Sequence, residues 1–105
     1  MDERTLYMML SDFKGKPFSF ALNYQGIDVV VDFWVENIAL SNSQYTIYGT
    51  MFMKNGAKFE ARIVIDRMKD VSCIKIRGDR NPYKMEPIHN SLEYWNSFVN
   101  KLKDS

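Results

Sequence analysis

Hydrophobic and polar residues alternate along most of the middle of the chain, with the period of two that a half-buried β-strand has. The alternation is clearest in the segment that begins near Ile27, where every second residue up to Val35 is apolar. Other segments have the same spacing and end at turn-forming residues. The pattern therefore predicts five strands, over residues 18–24, from 27 onward, and over 44–53, 57–66 and 71–77.

Short turns separate these predicted strands. Asn55-Gly56 is the strongest turn signal, because both residue types tolerate the positive φ angles of a type I′ hairpin. Strands that are joined by such short turns pair antiparallel, so we expect a meander sheet. Residues 79–87 contain Asn81-Pro82 and Glu86-Pro87 and are predicted to form a loop.

Helical spacing occurs at both ends of the chain. Apolar residues from Leu6 to Phe13 recur at intervals of three and four, which predicts an N-terminal helix. Asn90 and Glu93 form a capping box that begins a C-terminal helix. The expected fold is one α+β domain of 105 residues: a helix, about five antiparallel strands that form a sheet or a small barrel, and a closing helix.

The second side of the predicted sheet is not fully polar. Val30, Trp34, Tyr48, Phe52 and Val64 all point away from the main apolar face. Either the sheet curls into a barrel, or a helix covers these side chains, or they form an exposed patch. An exposed patch would indicate a protein partner or a homodimer.

Composition and charge exclude several functional classes. The single cysteine and the single histidine leave no set of zinc ligands, and no phosphate-binding or nucleophile motif is present. We therefore expect no metal, no cofactor and no enzymatic activity. The chain begins without an apolar signal segment, so a cytoplasmic protein without a membrane partner is expected.

The first hypothesis is a small non-enzymatic binding protein that acts through a protein partner, such as an inhibitor, an immunity protein or a phage-type regulator. Aromatic residues are enriched at the centres of interfaces. Asp28 and Asp32 lie on the same predicted strand as Trp34. The candidate partner-binding residues are Trp34, Tyr48, Phe52, Asp28 and Asp32.

The alternative hypothesis is nucleic-acid binding through the basic segment 58–84. The formal net charge is +1 overall, but it is −2 over residues 1–56, +4 over 57–84 and −1 over 85–105. Cations for phosphates and aromatic rings for bases are what a single-stranded nucleic acid requires. The candidates are Arg62, Lys75, Arg77, Arg80, Tyr83 and Lys84.

A limited resemblance accompanies this alternative. The order of a short helix and five strands, with Ile76-Arg77-Gly78-Asp79 near the end, resembles the Sm-like RNA-binding fold. The resemblance implies a small barrel, ring assembly and an RNA contact at Arg77. It covers the element order and four residues, and the family's first Asp-containing motif is not evident around residues 36–42. A third hypothesis, an enzyme or small-molecule sensor whose site is assembled across a homodimer, has no polar cluster to support it.

Overall fold

The chain folds into a closed antiparallel β-barrel with a C-terminal helix. The computed structural model describes Arg4 and residues 17–41, 43–68, 72–88 and 91–103. The elements are β1 (Phe18–Tyr24), β2 (Ile27–Leu40), β3 (Gln44–Met53), β4 (Lys58–Asp66), β5 (Ser72–Ile76), β6 (Pro82–Pro87) and helix α1 (Ser91–Lys103). Each strand pairs with the next, and β6 pairs with β1 to close the barrel. The predicted antiparallel meander is confirmed, and it curls into a barrel.

The strand count differs from the prediction, because β6 lies in the segment that was expected to be a loop. Pro82 and Pro87, which favoured a loop, occupy the first and last positions of β6. Proline is tolerated at the first position of a strand, where its missing N–H costs little. Between the prolines, the inward Tyr83 and Met85 alternate with the outward Lys84 and Glu86. The barrel therefore has six strands, not the five that the Sm-like resemblance implied.

The other boundaries agree closely with the predictions for β1, β3 and β4. The predicted N-terminal helix lies outside the described residues, apart from Arg4. The capping residue Asn90 also lies outside them, and α1 begins at Ser91. The Ser91 Oγ accepts a hydrogen bond from the backbone N–H of Ser19 at 2.8 Å, which ties the start of α1 to β1.

A β-bulge in β2 sets the register of the central strands. The pairing with β3 shifts between Val35 and Asn37, so that Glu36 and Asn37 are both exposed. Gly49 lies opposite Val35. A Cβ atom on Gly49 would lie 2.0 Å from the backbone oxygen of Trp34, so only glycine fits beside the bulge.

The barrel interior is filled by large apolar side chains. Six of them are fully buried inward residues of the strands: Phe18, Phe20, Phe33, Ile47, Ile63 and Ile74. Helix α1 packs against β1 and β6. Its Trp95 ring meets the rings of Phe18 and Phe20 edge to face, with centroids 5.0 and 5.1 Å apart. Among the described residues, the helix therefore packs mainly on β1 and β6 and not on the outer surface of β2, β3 and β4.

Candidate binding surface

The outward side chains of β2, β3 and β4 form one continuous surface, which we call the β2–β4 face. The register aligns them in rows that cross the three strands: Asp32–Phe52–Lys58, Trp34–Thr50–Glu60, Asn37–Tyr48–Arg62 and Ala39–Thr46–Val64. Glu36 lies in the bulge between the second and third rows. Neighbours within a row lie about 5 Å apart. These strands are also the three longest of the barrel.

Aromatic side chains occupy the middle of this face. Trp34 is 36% exposed and Tyr48 is 42% exposed. Phe52 is half-buried on the same strand as Tyr48. Of the three predicted partner-binding aromatics, two thus lie open on the outside of a barrel whose interior is already filled. They contribute little to the core and are available for contact.

The acidic side of the face is held in place by short polar contacts. Asp32 accepts a hydrogen bond from the Ser19 hydroxyl at 2.8 Å. Glu36 accepts one from the Thr50 hydroxyl. Asp28 is the other predicted acidic contact, and its carboxylate accepts a hydrogen bond from the Asn23 side-chain amide at 3.0 Å. It lies outside the four rows, in the part of β2 that pairs with β1 and not with β3.

The opposite side of the face is cationic. Lys58 and Arg62 are exposed on β4, and neither side chain has a hydrogen-bond or ion-pair partner in the described part of the chain. Glu60 between them forms an exposed ion pair with Arg77. Across the face, β2 thus contributes acidic groups and Trp34, β3 contributes Tyr48, Phe52 and threonines, and β4 contributes mainly cations.

A shallow groove adjoins the cationic side. It encloses about 550 Å³ over β4, β5 and the turn that follows β5. Its aromatic and charged lining residues are Tyr48, Glu60, Arg62, Lys75, Arg77, Asp79 and Arg80. Arg62 and Lys75 face each other across β4 and β5. Four of the six predicted nucleic-acid residues are thus brought together with one exposed ring.

The turn beside this groove is fixed by Asp79. The Asp79 backbone N–H donates to the Ile76 carbonyl at 3.0 Å, and its carboxylate accepts from the backbone N–H of Asn81 at 2.9 Å. The carboxylate also accepts from the Tyr83 hydroxyl. The Tyr83 hydroxyl and the Asn81 N–H lower the pKa of Asp79, and the same contact with Asp79 raises the pKa of Tyr83.

The remaining nucleic-acid candidates lie apart from the groove. Tyr83 is only 8% exposed, and its ring packs against Tyr24 with centroids 5.2 Å apart, so it offers no open face to a base. Lys84 is exposed on β6, outside the groove lining. The sequence does not predict the Asp79–Tyr83 contact, because that contact depends on the unpredicted strand β6. It also does not predict that Lys58 belongs to the face, because the alignment of Lys58 with Phe52 and Asp32 depends on the strand register.

The described residues contain no group of three or more His, Cys, Asp and Glu side chains arranged to hold a metal ion. No helix in the described ranges has the length and apolarity needed to cross a membrane. Comparison with protein-family models, with curated proteins and with solved structures gives no significant match.

Proposed function

We propose that this chain is a non-enzymatic binding protein that contacts a protein partner through the β2–β4 face. The observation that carries the proposal is the exposure of Trp34 and Tyr48 on the outside of a closed, filled barrel. A tryptophan at 36% exposure in the middle of a strand leaves apolar area in water that burial would stabilise.

The arrangement of the face matches the usual anatomy of protein interfaces. Aromatic residues at the centre supply most of the binding energy, and polar or charged residues around them fix the orientation. Here Tyr48 lies on the central strand β3, Trp34 lies on β2 between Asp32 and Glu36, and Lys58 and Arg62 lie on β4. Opposite charges on the two sides make the face directional, which favours a partner with the reverse arrangement.

Capture of a partner from lysate by the tagged protein tests this proposal. We expect Trp34→Lys to abolish capture of a discrete, nuclease-resistant protein, because it places a charge where the exposed ring would be buried in the complex. Leu92→Lys is the matched control, since Leu92 is 51% exposed on α1, away from the face. Urea unfolding of both variants separates loss of binding from loss of fold. Full capture by folded Trp34→Lys and Tyr48→Lys would contradict the proposal.

The groove supports a second candidate function, the binding of single-stranded nucleic acid. The specific observation is that Arg62, Lys75 and Arg80 line one groove with the exposed ring of Tyr48, and that these three cations have no ion-pair partner among the described residues. Cations can contact phosphates while the ring stacks on a base.

Titration of a fluorescent single-stranded oligonucleotide at several salt concentrations tests this second function. Each neutralised phosphate of a single strand contributes about −0.7 to the slope of log K against log salt, so three contacts predict a slope of about −2. Lys75→Glu should weaken binding, whereas Lys54→Glu, outside the groove, is the matched control. A salt-independent affinity, or equal loss in both variants, would eliminate the groove as a nucleic-acid site.

A further inference from the structure

We infer that β2 accepts an extended segment of a protein partner as an added strand along its residues 27–30, which we call the open edge. These residues pair with β1 on one side, whereas the pairing of β2 with β3 begins only at Val31 and Met53. No described strand therefore lies on the other side of the open edge. The inference goes beyond the proposed function, because the open edge lies outside the rows of the β2–β4 face and does not depend on Trp34.

The turn before β2 determines which backbone groups the open edge presents. Both residues of the turn 25–26 have positive φ angles, 52° and 86°, as in a type I′ hairpin. The residues that flank such a turn form a hydrogen-bonded pair, and hydrogen-bonded and non-hydrogen-bonded pairs then alternate along the two strands. The N–H and C=O groups of Ile27 and Val29 therefore point toward β1, and those of Asp28 and Val30 point away from it.

The backbone groups of Asp28 and Val30 have no strand to pair with in the described part of the chain. Met53 is the last residue of β3 that lies opposite β2, and its N–H donates to the Ala57 carbonyl at 2.8 Å, away from β2. The chain then turns into β4. Two N–H donors and two C=O acceptors are thus presented at the open edge with the spacing of an ordinary strand.

A cleft of about 380 Å³ lies directly beside the open edge. One wall is formed by Asp28, Val29 and Val30, and the other by Met53, Lys54 and Asn55. Four residues of a strand span about 13 Å, so an extended segment of similar length matches the open edge. Strand addition of this kind takes its affinity from main-chain hydrogen bonds and its specificity from alternate side chains.

The side chains of the open edge define the chemistry of the segment. Val29 faces the interior and is half-buried against the core, and Ile27 on the same side is 66% exposed. Apolar side chains of the added strand would cover both of them. On the outward side, Val30 is half-buried and favours an apolar neighbour, whereas the exposed Asp28 favours a lysine or arginine. An antiparallel segment that fits therefore reads apolar, apolar, basic, apolar.

Selection of a phage-displayed library of random linear dodecapeptides on the full chain tests the inference. We expect enriched peptides to carry this pattern. Val30→Pro should weaken their binding about tenfold or more, because it removes an N–H that points to the cleft and not to β1. Asp28→Lys should weaken it similarly by reversing a charge. Glu86→Lys, an exposed acidic residue on β6, is the matched control and should leave binding unchanged.

Amide hydrogen exchange measured by NMR locates the bound peptide. In the free chain, the amides of Asp28 and Val30 should exchange faster than those of Ile27 and Val29, and an enriched synthetic peptide should protect them. If Asp28 and Val30 are already protected in the dilute free chain, another part of the chain covers the open edge. If their protection grows with protein concentration, a second copy covers it. Either result would overturn the assignment of a partner segment.

The remaining outcomes separate this inference from the proposed function. A library that yields no enriched peptide, or peptides that bind folded Val30→Pro and Asp28→Lys as tightly as the original chain, would eliminate the open edge as a binding site. Peptides that lose binding only to Trp34→Lys would place them on the β2–β4 face, which supports the proposed function and overturns this inference. Peptides that need the open edge, together with full lysate capture by Trp34→Lys and Tyr48→Lys, would leave the inference standing without the proposed function.

Discussion

Gly49 shows how one residue determines the surface around it. It lies opposite the bulge that turns Glu36 and Asn37 outward together and returns Ile38 to the core. Its φ angle is ordinary, so the requirement is for space and not for backbone freedom. A Cβ atom would meet the Trp34 backbone oxygen at 2.0 Å and the Phe33 ring at 2.7 Å.

Replacing Gly49 therefore tests the bulge directly. We expect Gly49→Ala to lower the free energy of unfolding by about 3 kcal/mol, because the backbone contact cannot relax by rotating a side chain. Gly26→Ala is the control, since Gly26 has φ +86° and open space around it. Its cost is limited to left-handed strain of about 1–2 kcal/mol. Urea unfolding curves that give equal losses for the two variants would show that the bulge tolerates a methyl group.

At the scale of elements, the strands that the sequence predicts best are those in which apolar and polar residues alternate without interruption. That alternation alone predicts that Trp34 and Tyr48 point outward, and both are exposed. Strand β6 was missed because its two prolines outweighed the alternation of Tyr83 and Met85. The row that joins Lys58 and Phe52 to Asp32 could not be predicted, because the spacing of apolar residues does not reveal the bulge that shifts the β2–β3 register.

The turn between β5 and β6 gives a prediction about pH. The lowered pKa of Asp79 means that its carboxylate stabilises the fold above the ordinary aspartate pKa, and that this stabilisation is lost as the pH falls through the lowered value. Tyr83→Phe removes the largest cause, so the pKa of Asp79 should rise toward its ordinary value. An NMR titration of the Asp79 carboxyl carbon measures the shift.

A control for this titration is Tyr48→Phe, which removes the exposed hydroxyl of another residue that lines the groove. The Asp79 titration should be unchanged in it, because Tyr48 is not a hydrogen-bond partner of the Asp79 carboxylate in the described residues. If Tyr83→Phe also leaves the titration unchanged, the Tyr83 hydroxyl does not hold the turn, and the groove wall beside Arg80 lacks that support.

At the scale of the whole molecule, the meander converts position along the chain into position around the barrel. Consecutive strands are neighbours, so the charge difference between residues 1–56 and 57–84 becomes a charge difference across the β2–β4 face. A near-neutral chain therefore has a strongly polarised surface. A protein partner that covers Trp34 and Tyr48 must therefore present the reverse charge order, with cations opposite β2 and acidic groups opposite β4.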